Sequence, residues 1–423
     1  MTGEHAQPRR SASLVLAVLL IAYIFNYLDR EIPGILATPI KADLQLSDTQ
    51  FGAIGGLAFA LLYAVMGLPL AYLADRTSRS NVIAASLLLW SGFTALCGTA
   101  HGYWQLFLYR LGVGVGEAGG VAPSYALIAD YFPPGQRARA LAIFFLGIPI
   151  GISAGTLGGA YIAHALNWRA AFIATGLAGI LLAPLMRMLV RDLPRSTPAP
   201  SRAPVSSVFP MLARKPSFWL LAFAASSSSL CGYGLGLWTP SVLMRSFGLD
   251  LLSTANFRAS YIIIGGCSGI IAGGWFADRL GTMDRGWYVK LPAIAWVITM
   301  PVLSAGYLAP NAWVAWPLLL VGNMLNVIYL GPIVAAVQHL VPQPMRATAS
   351  ASFLLINNLI GLGVGPWLMG RLSDALKASQ GIHSLRDAAV GCTGFYLLAA
   401  LLALIAIKSL KKGWIEDSQP PST

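Results

Sequence analysis

The stretch Gly274-Trp-Phe-Ala-Asp278-Arg279-Leu-Gly281 sets an acid and a base side by side at the end of a long apolar run. The same pair stands in the other half of the chain, in Ala71-Tyr-Leu-Ala-Asp75-Arg76-Thr-Ser-Arg79. A second echo keeps the same order. Pro123, Pro133, Arg137, Ala138 and Ala140 are spaced as Pro332, Pro342, Arg346, Ala347 and Ala349 are. Two echoes in register imply a duplicated unit, and an even number of spans per copy makes the copies parallel about an axis along the membrane normal. Each Asp-Arg loop places charges at a helix end, where they can pair with a neighbouring helix and latch one bundle arrangement. A turn whose charges only obey membrane topology is the alternative.

The runs around these loops are membrane-like. Of 423 residues, 56% are hydrophobic and 10% charged, against about 25% charged in a soluble domain. Such a surface excludes a soluble enzyme, a nucleic-acid-binding protein and a disordered chain. About 20 apolar residues cross a bilayer, and on that measure twelve spans are expected. They cover 13–40, 50–75, 80–101, 104–132, 138–165 and 168–190, then 216–246, 254–280, 287–308, 311–341, 346–376 and 387–409. The Pro- and Ser-rich segment 192–215 between them cannot bury a core and reads as a mobile polar linker. The expected organisation is a six-helix bundle over 1–191, a cytoplasmic linker over 192–215 and a second six-helix bundle over 216–423.

The net charge of +12 is a matter of topology. Lys and Arg collect in cytoplasmic loops, and 19 of the 28 basic residues fall in the segments on the side of the termini. Seven, including Arg245 and Arg258, fall on the other side, and Arg30 and Arg110 lie within spans. Both termini are therefore expected in the cytoplasm. No cleavable signal sequence is expected at the start, and no Asn-x-Ser/Thr sequon occurs, so a bacterial plasma membrane is the expected location. Cys97, Cys231, Cys267 and Cys392 are isolated in apolar runs and read as small core residues.

Twelve spans in two parallel halves, with Gly-x-x-x-Asp-Arg-x-Gly loops after spans two and eight, resemble the major facilitator superfamily. The second loop fits that motif throughout; the first carries Ala71 and Ser78 at the glycine positions. Arg110-Leu-Gly-Val-Gly114-Val-Gly116 in span four resembles a further motif of the superfamily. Gly147, Gly151, Gly155 and Gly159 resemble its glycine-rich gating helix.

Charge inside the spans is confined to a few residues. Asp29, Arg30 and Glu31 interrupt the first span, and Arg110 and Glu117 the fourth. A charge at the bilayer centre costs about 2.5–3.5 kcal/mol on insertion, so these residues are expected to pair and to face a water-filled path. Arg110 and Glu117 are two helical turns apart on one face, and Asn26, Asp29 and Arg30 share another; Glu31 is expected near the outer rim. Asp29 and Glu117 read as proton-coupling carboxylates, because burial disfavours the charged form and a nearby Arg favours it. Arg30 and Arg110 read as holders of an anion. A static ion-pair network that fixes helix packing is the alternative.

Asn26-Tyr27-Leu28-Asp29-Arg30, Gly114-Val-Gly116-Glu117-Ala118, Ile128-Ala129-Asp130-Tyr131-Phe132, Ile148-Pro149-Ile150-Gly151 and Leu237-Trp238-Thr239-Pro240 resemble the spinster family. Spinster proteins transport lipids. Animal members move sphingosine-1-phosphate or lysophospholipids, and bacterial members are thought to be proton-coupled. The resemblance implies that Asp29, Arg30, Arg110 and Glu117 line the transport path. Tyr63, Tyr233, Trp238 and Tyr261 are candidate walls for an acyl chain, with Asn323, Asn357 and Asn358 as polar partners. Asp75, Arg76, Arg79, Asp130, Arg137, Asp278, Arg279 and Arg346 are candidates for a cytoplasmic gate.

The function expected is proton-coupled transport of an amphipathic lipid anion by alternating access. A small organic anion or drug-like cargo is one alternative, and a non-transporting membrane sensor another. The five histidines are scattered and no phosphate-binding Gly-Lys-Ser/Thr loop occurs, so neither an enzyme, a metal site nor ATP hydrolysis is expected. The proton gradient takes the place of a cofactor. The chain is expected to act as a monomer whose partners are its substrate and the surrounding lipid.

Overall fold

The computed structural model describes residues 12–193, 205–281, 283–342 and 345–415, all helix and connecting turn. In the first half α1 is Ala12–Ile35, α2 Asp48–Arg76, α3 Arg79–Cys97, α5 Arg139–Ala165 and α6 Trp168–Leu189. Helix α4 runs as Tyr103–Glu117 and, after a turn at Ala118–Gly120, as Val121–Tyr131. In the second half α7 is Pro216–Phe247, α8 Leu251–Gly281, α9 Trp287–Tyr307, α10 Ala312–Gln338, α11 346–380 and α12 Ser384–Gly413. Ten described helical runs are long and apolar enough to cross a membrane. The last of these, Thr348–Gly413, folds back at Gly381–His383 and supplies both α11 and α12. The broken α4 completes twelve.

The ends of these helices follow from local chemistry. Ser47 caps α2 in a reciprocal capping box with Gln50, Ser78 caps α3, Asn167 caps α6 and Asn311 caps α10, each side chain accepting an otherwise unpaired first-turn amide. Gly248, at φ +69°, terminates α7, where a side chain would be strained. The long first span expected over 13–40 ends earlier, at Ile35, and a separate short helix, Ala37–Leu44, follows. The linker is not wholly irregular. It contains a helix, Val205–Ala213, and its first residue, Asp192, is anchored.

Hereafter the near face is that at which α1 begins, and the far face is the opposite one. The glycine stripe of α5 brings its backbone against α1: a methyl group on Gly155 would lie 2.5 Å from the Leu28 carbonyl oxygen. The two halves meet in the same way where α2 crosses α11. Both helices are locally wound as π-helix there, over Ile54–Ala58 and Asn358–Val364. A methyl on Gly56 would stand 2.6 Å from the Gly363 carbonyl. π-Turns of this kind mark places where a helix accommodates function.

At the near face Asp192 accepts the amide of Arg79 at 3.0 Å and the Ser80 hydroxyl at 2.8 Å, and also bonds the Ser78 hydroxyl. It thereby caps α3 from beyond the end of α6. Burial pushes its carboxyl up, but these bonds from Ser78, Ser80 and Arg79 outweigh burial and hold it below the usual carboxylate range. The cap is therefore complete above the ordinary Asp pKa and is lost as pH falls through the lowered value. Hydrogen exchange at the Arg79 and Ser80 amides should be protected at neutral pH and released in strong acid. Asp192→Ala should weaken that protection at neutral pH by about 1 kcal/mol, the usual worth of a cap.

Candidate functional site

Helix α1 carries Asn26, Asp29 and Arg30 to mid-membrane, and the first segment of α4 carries Arg110 and Glu117 to meet them. Glu117 is fully buried. Its Oε2 accepts Arg30 Nε at 2.6 Å and Asn26 Nδ2 at 2.9 Å. Among the described residues Nε is the only Arg30 nitrogen with a hydrogen bond, and the side chain keeps 12% of its surface exposed. Aromatic rings surround it: Tyr27, Phe59 and Tyr63 have centroids 5.0, 4.9 and 4.8 Å from the guanidinium carbon, within cation–π reach. Phe59 and Tyr63 are themselves stacked, and Arg110 lies over the same Phe59 ring at 5.1 Å.

Asp29 is buried and accepts the Thr94 hydroxyl, at 3.4 Å, through Oδ2. Its Oδ1, and Nε and one terminal nitrogen of Arg110, have no hydrogen-bond partner among the described residues. A buried cation and a buried carboxylate with unmade bonds are costly. The site is thus half satisfied: one ion pair is closed, and a second Arg and Asp are held beside it.

The other candidates divide. Tyr233 is part-exposed, whereas Tyr261 is buried and packs edge-on to Phe257. Trp238 does not line open space. It is fully buried, donates its indole N–H to the Pro366 carbonyl at 2.8 Å and meets Phe51 across the two halves. Asn357 accepts the Ser229 hydroxyl at 2.8 Å, and that hydroxyl also bonds Tyr329. Asn323 and Asn358 are part-exposed. The second half thus offers neutral polar groups opposite the charges of the first.

The near-face contacts described for Asp75, Arg79 and Asp130 lie within the first half. Arg79 pairs with Asp130 and lies 3.7 Å from Asp75, tying the ends of α2, α3 and α4. Arg76 stacks on Tyr72, Arg137 donates to the Phe132 carbonyl at 3.0 Å, and Arg279 lies over Trp275. Arg346 begins the helix of α11. The side chain of Asp278 lies outside the described residues.

Sequence reasoning missed the ionic contacts between the halves. Glu31, expected at the rim, accepts Arg258 at 2.5 Å. Arg258 is not a loop residue: it is buried in α8 and also donates to Thr156 at 2.7 Å and to the Gly236 carbonyl at 2.9 Å. A lone charge inside an apolar run was the available signal. At the far face Asp48 accepts both terminal nitrogens of Arg245 at 2.8 Å, accepts the Ser373 hydroxyl at 2.7 Å and pairs with Lys41. Asp374 of α11 accepts the Asp48 and Thr49 amides at 3.2 and 2.7 Å, so the second half caps a helix of the first. Nothing in the spacing of these residues announces the contact.

This geometry has counterparts among known proteins. The model of the Major Facilitator Superfamily matches residues 19–366. The chain belongs to the major facilitator superfamily. An MFS-type efflux pump of Mycolicibacterium smegmatis is 34% identical over 98% of both chains. Protein spinster homolog 1 of Xenopus tropicalis is 26% identical over 93% of this chain and 81% of its own. A bacterial homolog of the human lysosomal transporter Spinster, solved inward-facing and unoccupied, superposes with a TM-score of 0.87 at 26% identity, over 97% of this chain and 100% of that one. The spinster likeness of the first and fourth spans therefore extends over the whole fold. This superfamily member is a multi-pass membrane transporter, not an enzyme.

In such a transporter the far-face contacts hold the halves together on one side. Charge-assisted hydrogen bonds contribute about 1.5–3 kcal/mol each. Arg245→Gln should therefore raise the population opened at the far face by roughly tenfold or more, read by distance probes placed across that face.

Proposed function

We propose that this transporter couples proton movement to passage of an amphipathic anion, with its near face in the cytoplasm. The observation that carries the proposal is the Arg30 guanidinium. One nitrogen is committed to Glu117, while the rest of the group stands part-exposed in an aromatic cage. A carboxylate and an incoming anion compete for such a group. When an anion takes the Arg, Glu117 loses its counter-charge and takes up a proton; when Glu117 ionises, the anion is released. Asp29 and Arg110, buried with unmade bonds, offer a second carboxylate and a second cation for the same exchange.

The lipid character of the cargo rests on the walls. Phe59 and Tyr63 flank the guanidinium, and an acyl chain gains about 0.8 kcal/mol per buried CH₂ along apolar surface. A phosphate or carboxylate headgroup binds Arg with charge-assisted bonds. The spinster resemblance of the first, fourth, fifth and seventh spans implies a lysophospholipid-like cargo. The basic residues gathered at the near face support a cytoplasmic near face, and a bacterial plasma membrane is the setting we propose.

Purified protein in proteoliposomes tests this reading. Asp29→Asn and Glu117→Gln should reduce pH-gradient-driven lysophospholipid transport to background while exchange without a gradient survives. Normal gradient-driven transport by both variants overturns the coupling. Arg30→Lys keeps the charge but loses the planar fork, and should weaken binding of the anion about 10- to 100-fold. A small organic acid in place of the lysophospholipid, carried equally well, would remove the lipid from the reading and leave the proton coupling.

A further inference from the structure

Three residues of the second half, from three helices, form a small neutral cluster. Ser229 of α7 donates its hydroxyl hydrogen to Asn357 Oδ1 of α11 at 2.8 Å, and the same hydroxyl bonds Tyr329 of α10 at 2.8 Å. Ser229 has one hydrogen to give, so Tyr329 is the donor in the second bond. All three residues are more than nine-tenths buried. The Asn357 amide nitrogen is left over. It carries two hydrogens and has no hydrogen-bond partner among the described residues.

The chain is built to hold this amide still. Gly361, about one turn beyond Asn357, lets α11 close on α7, since a methyl there would lie 2.4 Å from the Ser229 Cβ. Tyr329 stands in a turn at 328–329 that interrupts α10, and fully buried Trp296 backs its ring at 5.4 Å. A fixed donor without an acceptor is costly inside a membrane, and packing alone gives no reason to keep one.

The cluster belongs to the side of the second half that meets the charged site. Helix α7 packs against α1, and the first part of α11 against α2. Tyr233 follows Ser229 by four residues and so shares its face of α7, about 6 Å further from the near face. Tyr233 is part-exposed and within electrostatic reach of both Arg30 and Tyr329.

We propose that the Asn357 amide, held by Ser229 and Tyr329, is a second subsite for the cargo and donates a hydrogen bond to a neutral oxygen carried next to the cargo's charged group. In a lysophospholipid that oxygen is the free glycerol hydroxyl or the ester carbonyl. Arg30 then reads the charge, and Asn357 reads the uncharged oxygen beside it. A simple alkyl phosphate has the charge and the chain but lacks that oxygen, so the subsite selects against it. This role of Asn357 rests on Arg30 being the holder of the anion.

Equilibrium binding to the full-length protein in lipid nanodiscs tests the subsite with three phosphates of one chain length. They are 1-oleoyl lysophosphatidate, its analogue without the glycerol 2-hydroxyl, and its analogue with an ether in place of the ester. Wild-type protein should bind one of the analogues about tenfold more weakly than the parent, the worth of one hydrogen bond. Asn357→Leu should bring all three to within about twofold of one another. Ser229→Ala, which frees the amide to turn, should narrow the difference as well. An Asn357 that only supports packing would weaken all three alike and keep their ratio. Equal affinities in wild type, or a wild-type ratio kept in Asn357→Leu, overturn the subsite and leave the anion reading standing. Where Asn357→Leu fails to fold, the ratio in Ser229→Ala decides. Arg30→Lys should weaken all three alike, and if it weakens none the anion reading itself falls.

Discussion

A charge in the middle of a bilayer has to be answered by another, and the bond from Arg30 to Glu117 is where this fold answers it. Both side chains come from helices of the first half, and their bond ties α1 to α4. The glycine stripe of α5 brings that helix against the other side of α1, so α1 is held between packed backbone and an ionic bond. Asn26 adds a neutral donor. A closed pair would be sufficient for packing. The additional Arg110 and Asp29, with their unmade bonds, exceed what packing requires, and on the reading proposed above they let the site exchange partners.

The two halves share a plan and divide the work. The first holds the ionisable groups; the second faces them with Ser229, Tyr329 and Asn357, all neutral. Charge returns where the halves touch. Glu31 with Arg258, and Asp48 with Arg245, join them towards the far face, while the described Asp75, Arg79 and Asp130 contacts at the near face stay within one half. The contacts at Glu31 and Asp48 hold the two halves together towards the far face. The likeness to an inward-facing solved structure agrees with that reading.

The fold was legible because its determinants are local or periodic. Span length and the repeated Asp-Arg loops need no three-dimensional information, and Asn26, Asp29, Arg30 and Glu117 stood out because charge in an apolar run has a cost. Arg258 carried the same signal, lying inside the eighth span at 254–280, yet it was counted with the loop charges. Trp238 was misread because an aromatic side chain gives no sign of which way it faces. Asp374 and Asp48 were invisible for a different reason. They lie far apart in sequence, and their contact depends on the angle at which the halves close.

Protons and anion share one charged site in this transporter, on the reading proposed above. Lysophospholipid-dependent proton movement tests that sharing most directly, in proteoliposomes loaded with a pH-sensitive dye and with no gradient imposed at the start. Wild-type protein should produce an internal pH change that Glu117→Gln does not. Lysophospholipid uptake by wild-type protein without any pH change would contradict it.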